Sequence, residues 1–257
     1  MAFSTTEITS SQIVSDNPVH QRLFFAYHEA GKIVHGNLLE IGCGVGRGLD
    51  VLASSCERYT GIDKNEELLK VLQRDYPQLN FIYQHIPPFT GIADNTFDYI
   101  VTFQVIEHIE NDDLFIKEIY RVLKPGGKAI ITTPNIKLSL TRNPWHIREY
   151  TAAGLHTLIQ KYFRKVDKQG VHGNAKVMEY YSKNKKAVEK ITRFDIFNLQ
   201  YRLPRAILQV PYDFLNRLNR KSLMNSNDSL VNEISYEDYF LSRDVDNCLD
   251  FFYIAEK

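Results

Sequence analysis

Two histidines of this chain stand close to carboxylates. His108 directly follows Glu107, and His146 precedes Glu149 within Asn143-Pro144-Trp145-His146-Ile147-Arg148-Glu149-Tyr150-Thr151. Imidazole takes and returns a proton near neutral pH, so either ring is suited to general-base work. Upstream, Leu38-Leu39-Glu40-Ile41-Gly42-Cys43-Gly44-Val45-Gly46 is an apolar run with Glu40 near its end and a glycine at every second position thereafter. Alternating glycines remove the Cβ atoms that would hold a ligand away from the backbone. A second apolar run, Tyr59-Thr60-Gly61-Ile62, ends in Asp63, where a carboxylate beyond a parallel strand accepts hydrogen bonds from ribose hydroxyls. A nucleoside cofactor beside a proton acceptor is the chemistry these residues allow. The dinucleotide fingerprint G-x-G-x-x-G does not fit: its third glycine would fall on Arg47 counting from Gly42, or on Leu49 counting from Gly44.

The elements that must position these groups follow from periodicity and punctuation. Asp16 and Asn17 ahead of Pro18 start a helix that runs to about Val34, with Pro at a position where its missing N–H costs nothing. Residues 1–16 are polar, rich in Ser and Thr, and read as an arm. Apolar runs then alternate with helical patterns: strands at 38–41, 58–62, 79–84, 98–103 and 128–133, helices at about 46–54, 65–75 and 111–123, and a turn forced by Pro125-Gly126-Gly127. Strands separated by helices of this length read as βαβ units in a parallel sheet. A helix at 152–162, a strand at 165–171 and a last apolar run at 249–255 complete the pattern.

In wording and order the Gly42–Gly46 region resembles motif I of the class I S-adenosylmethionine-dependent methyltransferases. Phe97-Asp98-Tyr99-Ile100-Val101, Gln104-Val105-Ile106-Glu107-His108 and Leu123-Lys124-Pro125-Gly126-Gly127 follow in that family's order and spacing. The resemblance covers roughly residues 36–171 and the last strand. It implies an α/β fold: a Rossmann-like, mostly parallel seven-stranded sheet with helices on both faces and an antiparallel final strand. It also implies S-adenosylmethionine as cofactor and S-adenosylhomocysteine as product. Gly42, Cys43, Gly44 and Gly46 would meet the methionine part, with Glu40 linked directly or through water. Asp63, with Lys64 beside it, would take the ribose. The family's acid against the adenine is missing after the third strand, leaving Gln84, His85 or the backbone of Ile86 for that contact.

Methyl transfer from a sulfonium needs mainly alignment and exclusion of water. A hydroxyl acceptor must also lose a proton, which makes His108, at the mouth of the sheet, the first base candidate and His146 the second. Packing of His108 at a helix start, and of Glu40 as a turn cap, are the competing structural readings. The Glu-His pair is similar to that of the quinol O-methyltransferases of ubiquinone synthesis, some of which bind a divalent metal through an acid three residues before the Glu. Gln104 stands there instead, so no metal is expected, and Gln104 is counted among the cofactor contacts. Thr133-Pro134-Asn135 and the His146–Tyr150 stretch resemble elements of bacterial methyltransferases acting on sugars and other hydroxylated metabolites. On that basis Glu107, Asn135, Arg148 and Tyr150 are substrate-side candidates. Alternatively, Arg148 and Glu149 pair with neighbours and Thr151 caps the next helix.

The organisation expected is an arm and cap helix at 1–35, a cofactor-binding core at 36–171, a largely helical insertion at 172–246 and a final core strand at 247–257. Within the insertion, residues 176–221 hold eleven Lys or Arg against four Asp or Glu, whereas residues 222–250 hold one Arg against seven acids. Its segment 194–221 interleaves aromatics with arginines, and Pro204 and Pro211 are expected to break it into short pieces. A lid over the substrate, a surface for peripheral membrane contact and a nucleic-acid face compete for that segment, with the lid favoured. Lys plus Arg equals Asp plus Glu at 31 each, so no global field favours nucleic acid. Cys43, Cys56 and Cys248 lack metal-like spacing and suit a reducing cytoplasm. The acceptor expected is a small or carrier-linked hydroxylated metabolite. An RNA- or nitrogen-directed enzyme, and a cofactor-binding protein without catalysis, are the alternatives. The oligomeric state is unread.

Overall fold

Apolar runs rich in Leu, Ile, Val and Phe are buried on both faces when they form the centre of a parallel sheet, and the first and fourth strands and the second half of the fifth behave this way, whereas the third, at the edge, has no buried residue. The computed structural model describes residues 14–195, 197–226 and 228–257. Strands β1 (Asn37–Ile41), β2 (Arg58–Asp63), β3 (Asn80–Tyr83), β4 (Phe97–Phe103) and β5 (Leu123–Pro134) pair in parallel in the order β3-β2-β1-β4-β5. The reversal between β1 and β4 opens a crevice at the strands' carboxyl ends, where ligands bind in such sheets.

Helices cover both faces. α1 (Asn17–Gly31), α2 (Leu49–Ser55) and α3 (Glu66–Asp75) bring Phe25, Tyr27, Leu49, Leu52 and Leu72 into one core layer. α4 (Asp112–Val122) and α5 (Ala152–Gln160) bring Phe115, Ile119, Leu155 and Ile159 into the other. Asn65, Asn111 and Thr151 cap α3, α4 and α5 by accepting from backbone N–H groups one turn on. α2 begins at Leu49 rather than near residue 46 because Gly46 has φ +72°, outside the helical region. Of the expected N-terminal arm, residues 1–13 lie outside the described residues.

The sheet has eight strands, not the expected seven. β6 (Lys165–Gly173) and β8 (Asp250–Glu256) are joined through the insertion, and β8 lies antiparallel between β5 and β6. The extra strand, β7 (Tyr239–Ser242), comes from the insertion and pairs antiparallel with the outer side of β6. Four residues beside a Ser/Glu/Asp-rich turn carry too short a pattern to be read as a strand in advance.

The rest of the insertion is helical: α6 (Ala175–Thr192), α7 (Leu199–Arg202), α8 (Arg205–Ser226) and α9 (Asp228–Glu233). Pro204 does precede a helix start, but Pro211 lies inside the 22-residue α8 and does not end it. One lost backbone bond and a ring clash kink or strain a helix without forcing a break. α8 is tied to the start of α1: Asp16 is fully buried and its two oxygens accept from Arg217 Nη1 at 2.7 Å and Arg220 Nη1 at 2.8 Å. That use of its carboxylate explains why Asp16 makes no side-chain cap to α1. Among the described residues, no helix is long and apolar enough to cross a membrane.

Candidate functional site

The turn after β1 is built around three glycines with positive φ, Gly42, Gly44 and Gly46. A Cβ on Gly42 would sit 2.4 Å from Val105, and one on Gly46 would sit 2.7 Å from Leu72, whereas the position on Gly44 faces open space. Gly44 therefore presents bare backbone to a cleft of about 280 Å³. Cys43, Tyr27, Gln104, Glu107 and His108 also border this cleft. Gln104 is held at φ +58°, its N–H donating to the Thr132 carbonyl and its Nε2 to Thr132 Oγ1 at 3.3 Å. A non-glycine residue in this region of backbone space is a strained position of the kind that clusters at ligand sites.

Asp63 at the end of β2 accepts from the Gly44 N–H at 2.8 Å and from the Asn65 N–H at 2.8 Å. It thus fixes the glycine turn, and a carboxylate with four lone-pair sites retains capacity for ribose hydroxyls. Glu40 does not border the cleft. It is buried, and its oxygens accept from Tyr27 at 2.8 Å and from Tyr59. Burial pushes its pKa up against the opposing pull of those two hydrogen bonds. Glu40 was expected to meet the cofactor directly or through water; here Tyr27, which bonds it, is the residue that borders the cleft. Gln84, His85 and Ile86 lie just past β3, next to Asp63, where the Gln84 N–H donates to the Asp63 carbonyl. They do not border the cleft. Lys64 lines a separate opening with His108, Trp145 and Arg205.

The two histidines meet. His108 ends a 3₁₀ turn (Ile106–His108) after β4, and its ring lies 5.0 Å from that of His146, nearly perpendicular to it. His108 Nδ1 lies 2.9 Å from the Trp145 carbonyl oxygen. A carbonyl only accepts, so Nδ1 carries the proton and Nε2 is the basic nitrogen. His146 is bonded at both nitrogens, Nδ1 to Glu149 at 2.7 Å and Nε2 to Asn143 Nδ2 at 2.8 Å. The Asn143 amide is held in that sense because its oxygen accepts from the Trp145 N–H. Both neighbours thus direct His146 toward structure, with its basic nitrogen already accepting.

Glu107 is fully buried between them. Thr133 donates to its Oε2 at 2.9 Å, while Oε1 has no hydrogen-bond partner among the described residues. Burial raises its pKa to about 7, opposed by His146 and by its hydrogen bonds. Glu107, His108 and His146 each bring one ligand-capable atom within 4.8 Å of the others. The substitution at Gln104, on which the expectation of no metal rested, did not foresee His146 as a third donor.

Three substrate-side candidates are placed elsewhere. Arg148 donates to the Ile109 and Glu110 carbonyls, both at 2.7 Å, and pairs with Asp112 at 3.0 Å. Tyr150 donates to the same Asp112 at 2.8 Å. Asn135 binds the Asp246 and Cys248 carbonyls, fixing the turn before β8. For Arg148 this is the neighbour-pairing alternative, Glu149 pairs with His146 in the same way, and Thr151 does cap α5. Asn135 still borders a polar chamber of about 220 Å³ between the core and the insertion. Arg22, His146, Tyr181, Tyr212 and Arg220 border it too. Arg22, which pairs with buried Asp250 at 3.1 Å, and Tyr212 and Arg220 each touch both chamber and cofactor cleft. Tyr212 and Arg220 fall in the 194–221 segment for which a lid was the favoured reading, whereas Arg22 did not stand out beforehand, because α1 carries it from far along the chain.

Comparison with known proteins agrees with this geometry. Residues 39–131 match a family model described as a methyltransferase domain. A protein of Mycolicibacterium smegmatis named as a probable S-adenosylmethionine-dependent methyltransferase is 30% identical over 247 residues, covering 92% of this chain and 85% of that protein. The ubiquinone biosynthesis O-methyltransferase of Psychrobacter arcticus is 30% identical over 179 residues, covering 67% of this chain and 63% of its own length. The fold is shared with the crystal structure of a SAM-dependent methyltransferase from Archaeoglobus fulgidus, at TM-score 0.55 and 16% identity, covering 93% of each chain.

Proposed function

The chain belongs to the S-adenosylmethionine-dependent methyltransferases, and from that membership we propose that it methylates an oxygen of a hydroxylated small or carrier-linked acceptor. The observation that carries the oxygen reading is the tautomer of His108, whose Nδ1 is tied to the Trp145 carbonyl so that Nε2 is the proton acceptor. The likeness to ubiquinone O-methyltransferases supports it.

The residues fit the cofactor: a bare Gly44 backbone, a strained Gln104 and the Asp63 carboxylate line up along one crevice edge. Gly42, Gly44, Gln104 and Tyr27 would hold its amino-acid end and Asp63 its ribose. S-adenosylmethionine supplies a methyl carbon on a positively charged sulfur, so the leaving group needs no further activation. What remains for the protein is alignment and one proton. His108 takes the hydroxyl proton as the acceptor oxygen gains the methyl, and the Trp145 carbonyl steadies the imidazolium through Nδ1–H. Glu107 holds the turn through its carbonyl, which accepts from the Ile147 and Arg148 N–H groups. The insertion closes the acceptor chamber from above and limits water.

The basic half of the insertion is poor support for an RNA substrate, since Arg217 and Arg220 are committed to Asp16, Lys176 to Asp238 and Lys183 to Glu179. Calorimetric titration with S-adenosylmethionine and S-adenosylhomocysteine tests the common premise. Saturable binding of both at one site per chain is expected, and no heat from either would overturn the reading.

A further inference from the structure

Two cavities in or under the insertion differ sharply in character. The chamber beside His146 is walled by polar side chains such as Arg22, Ser139, Asn143, Asn184 and Arg220. Next to it lies a cleft of about 470 Å³ bounded by α6, α7 and α8 and the loop at Thr141–Pro144, walled by Val188, Ile191, Leu203, Leu208 and Leu215. That volume is in the range of small-ligand sites. The two share Thr141, Val188, Tyr212, Asn216 and Asn219, and Tyr212 also borders the cofactor cleft. The three cavities therefore adjoin in order, from the glycine turn to the polar chamber to the apolar cleft.

The charged groups on the cleft wall are consumed by backbone. Asp195 accepts from the Leu199 and Gln200 N–H groups at the start of α7, and Arg142 donates to the Gln200 and Leu203 carbonyls at its end. The wall thus offers an occupant apolar surface and no charge of its own. At the rim, Phe194, Ile207 and Leu215 are 78%, 58% and 43% exposed, although the expectation for a lid was that such residues would be covered. Clustered exposed apolar side chains mark an interaction site.

We propose that the methyl acceptor is an amphiphile, with a hydroxylated head in the chamber beside His146 and an alkyl chain in the cleft between α6, α7 and α8. This rests on the methyltransferase reading and adds to it the class of substrate. Adjacency of the cleft to the chamber, through the shared Thr141, Val188, Tyr212, Asn216 and Asn219, is what favours a substrate tail over a docking partner: a tail would enter the cleft from the reacting end.

The test uses hexyl, octyl and decyl β-glucosides below their micelle concentrations, titrated into the whole protein with and without S-adenosylhomocysteine. Burial of methylenes at about 0.8 kcal/mol each corresponds to about a fourfold gain per methylene, so decyl should bind roughly 100-fold or more tightly than hexyl. Ile207→Asn with Leu215→Asn should flatten that dependence and leave S-adenosylhomocysteine affinity unchanged. Val210→Asn is the control, being 75% exposed on the same helix and outside the cleft wall, and should keep the dependence. Affinity independent of chain length overturns the proposal, as does equal flattening by Val210→Asn. Sedimentation with phosphatidylglycerol vesicles that Val210→Asn abolishes would assign the face to a bilayer and overturn it too. Absence of heat with S-adenosylhomocysteine would sink the enzymatic premise alone, because the chain-length series is also read without it.

Discussion

Glu107 carries the least ordinary electrostatics at the site: a buried carboxyl with one unbonded oxygen and a pKa raised to about 7. A carboxyl whose folded pKa is raised stabilises the fold below its unfolded pKa and loses that contribution as pH climbs through the folded value. Glu107→Gln should therefore increase the free energy of unfolding more at pH 8 than at pH 5, by a difference on the order of 3 kcal/mol, measured by denaturant titration; an equal gain at both pH values would show that the carboxyl is not strained. His108→Ala should lower kcat by about 10²–10⁴, whereas His146→Ala, whose basic nitrogen is already bonded by Asn143, should lower it less and raise KM more. Turnover unaffected by His108→Ala would remove the general-base assignment. Activity is expected to survive EDTA, and a loss restored by a divalent ion would instead assign Glu107, His108 and His146 to a metal. Residue types at Gly42–Gly46, Asp63 and Glu107-His108 stood out because each directly follows, or closely follows, an apolar strand run in the sequence. The partners of Arg148, Tyr150 and Asn135 could not be read in that way, since Asp112 and residues 246–248, which engage them, lie 36 to 113 positions away.

At the level of elements, the junction of α1 with α8 ties the insertion to the core. Burial would raise the pKa of Asp16, but Arg220 and Arg217 outweigh it and hold the carboxyl below its ordinary value. A depressed carboxylate stabilises above its unfolded pKa and stops doing so as pH falls through the lower folded value. Asp16→Asn should cost about 3–5 kcal/mol at pH 7, by leaving two guanidinium groups without their partner. The cost should shrink on acidification below about pH 4. Hydrogen exchange should quicken in α8 before the core strands; uniform acceleration would mean that the clasp holds the whole fold and not the lid. Helix positions in the core were legible from 3.6-residue periods and strand positions from continuous apolar runs. α8 was not, because Pro211 suggests a break that the flanking turns override, and neither was β7, whose four residues gain their extended form from β6.

Over the whole molecule, charge asymmetry in the insertion was visible in composition, but its purpose was not. Part of the basic half is spent on internal pairing, Arg217 and Arg220 with Asp16 ahead of the N-terminal helix and Lys176 with Asp238 of the insertion. The parallel core was legible end to end, while the size of the sheet and the depth of the lid depended on contacts between distant segments. One such contact also carries a schedule. β6 reaches β5 only through β8, which lies between them, so β6 cannot join the core until residues 174–249 have followed it off the ribosome and β8 emerges behind them. At about 5–20 residues per second that is a wait on the order of 4–15 s. During it the edge of β5 stays uncovered and the insertion has no sheet to close over, so the nascent chain passes through an interval in which its cofactor crevice can already be formed and its acceptor chamber cannot.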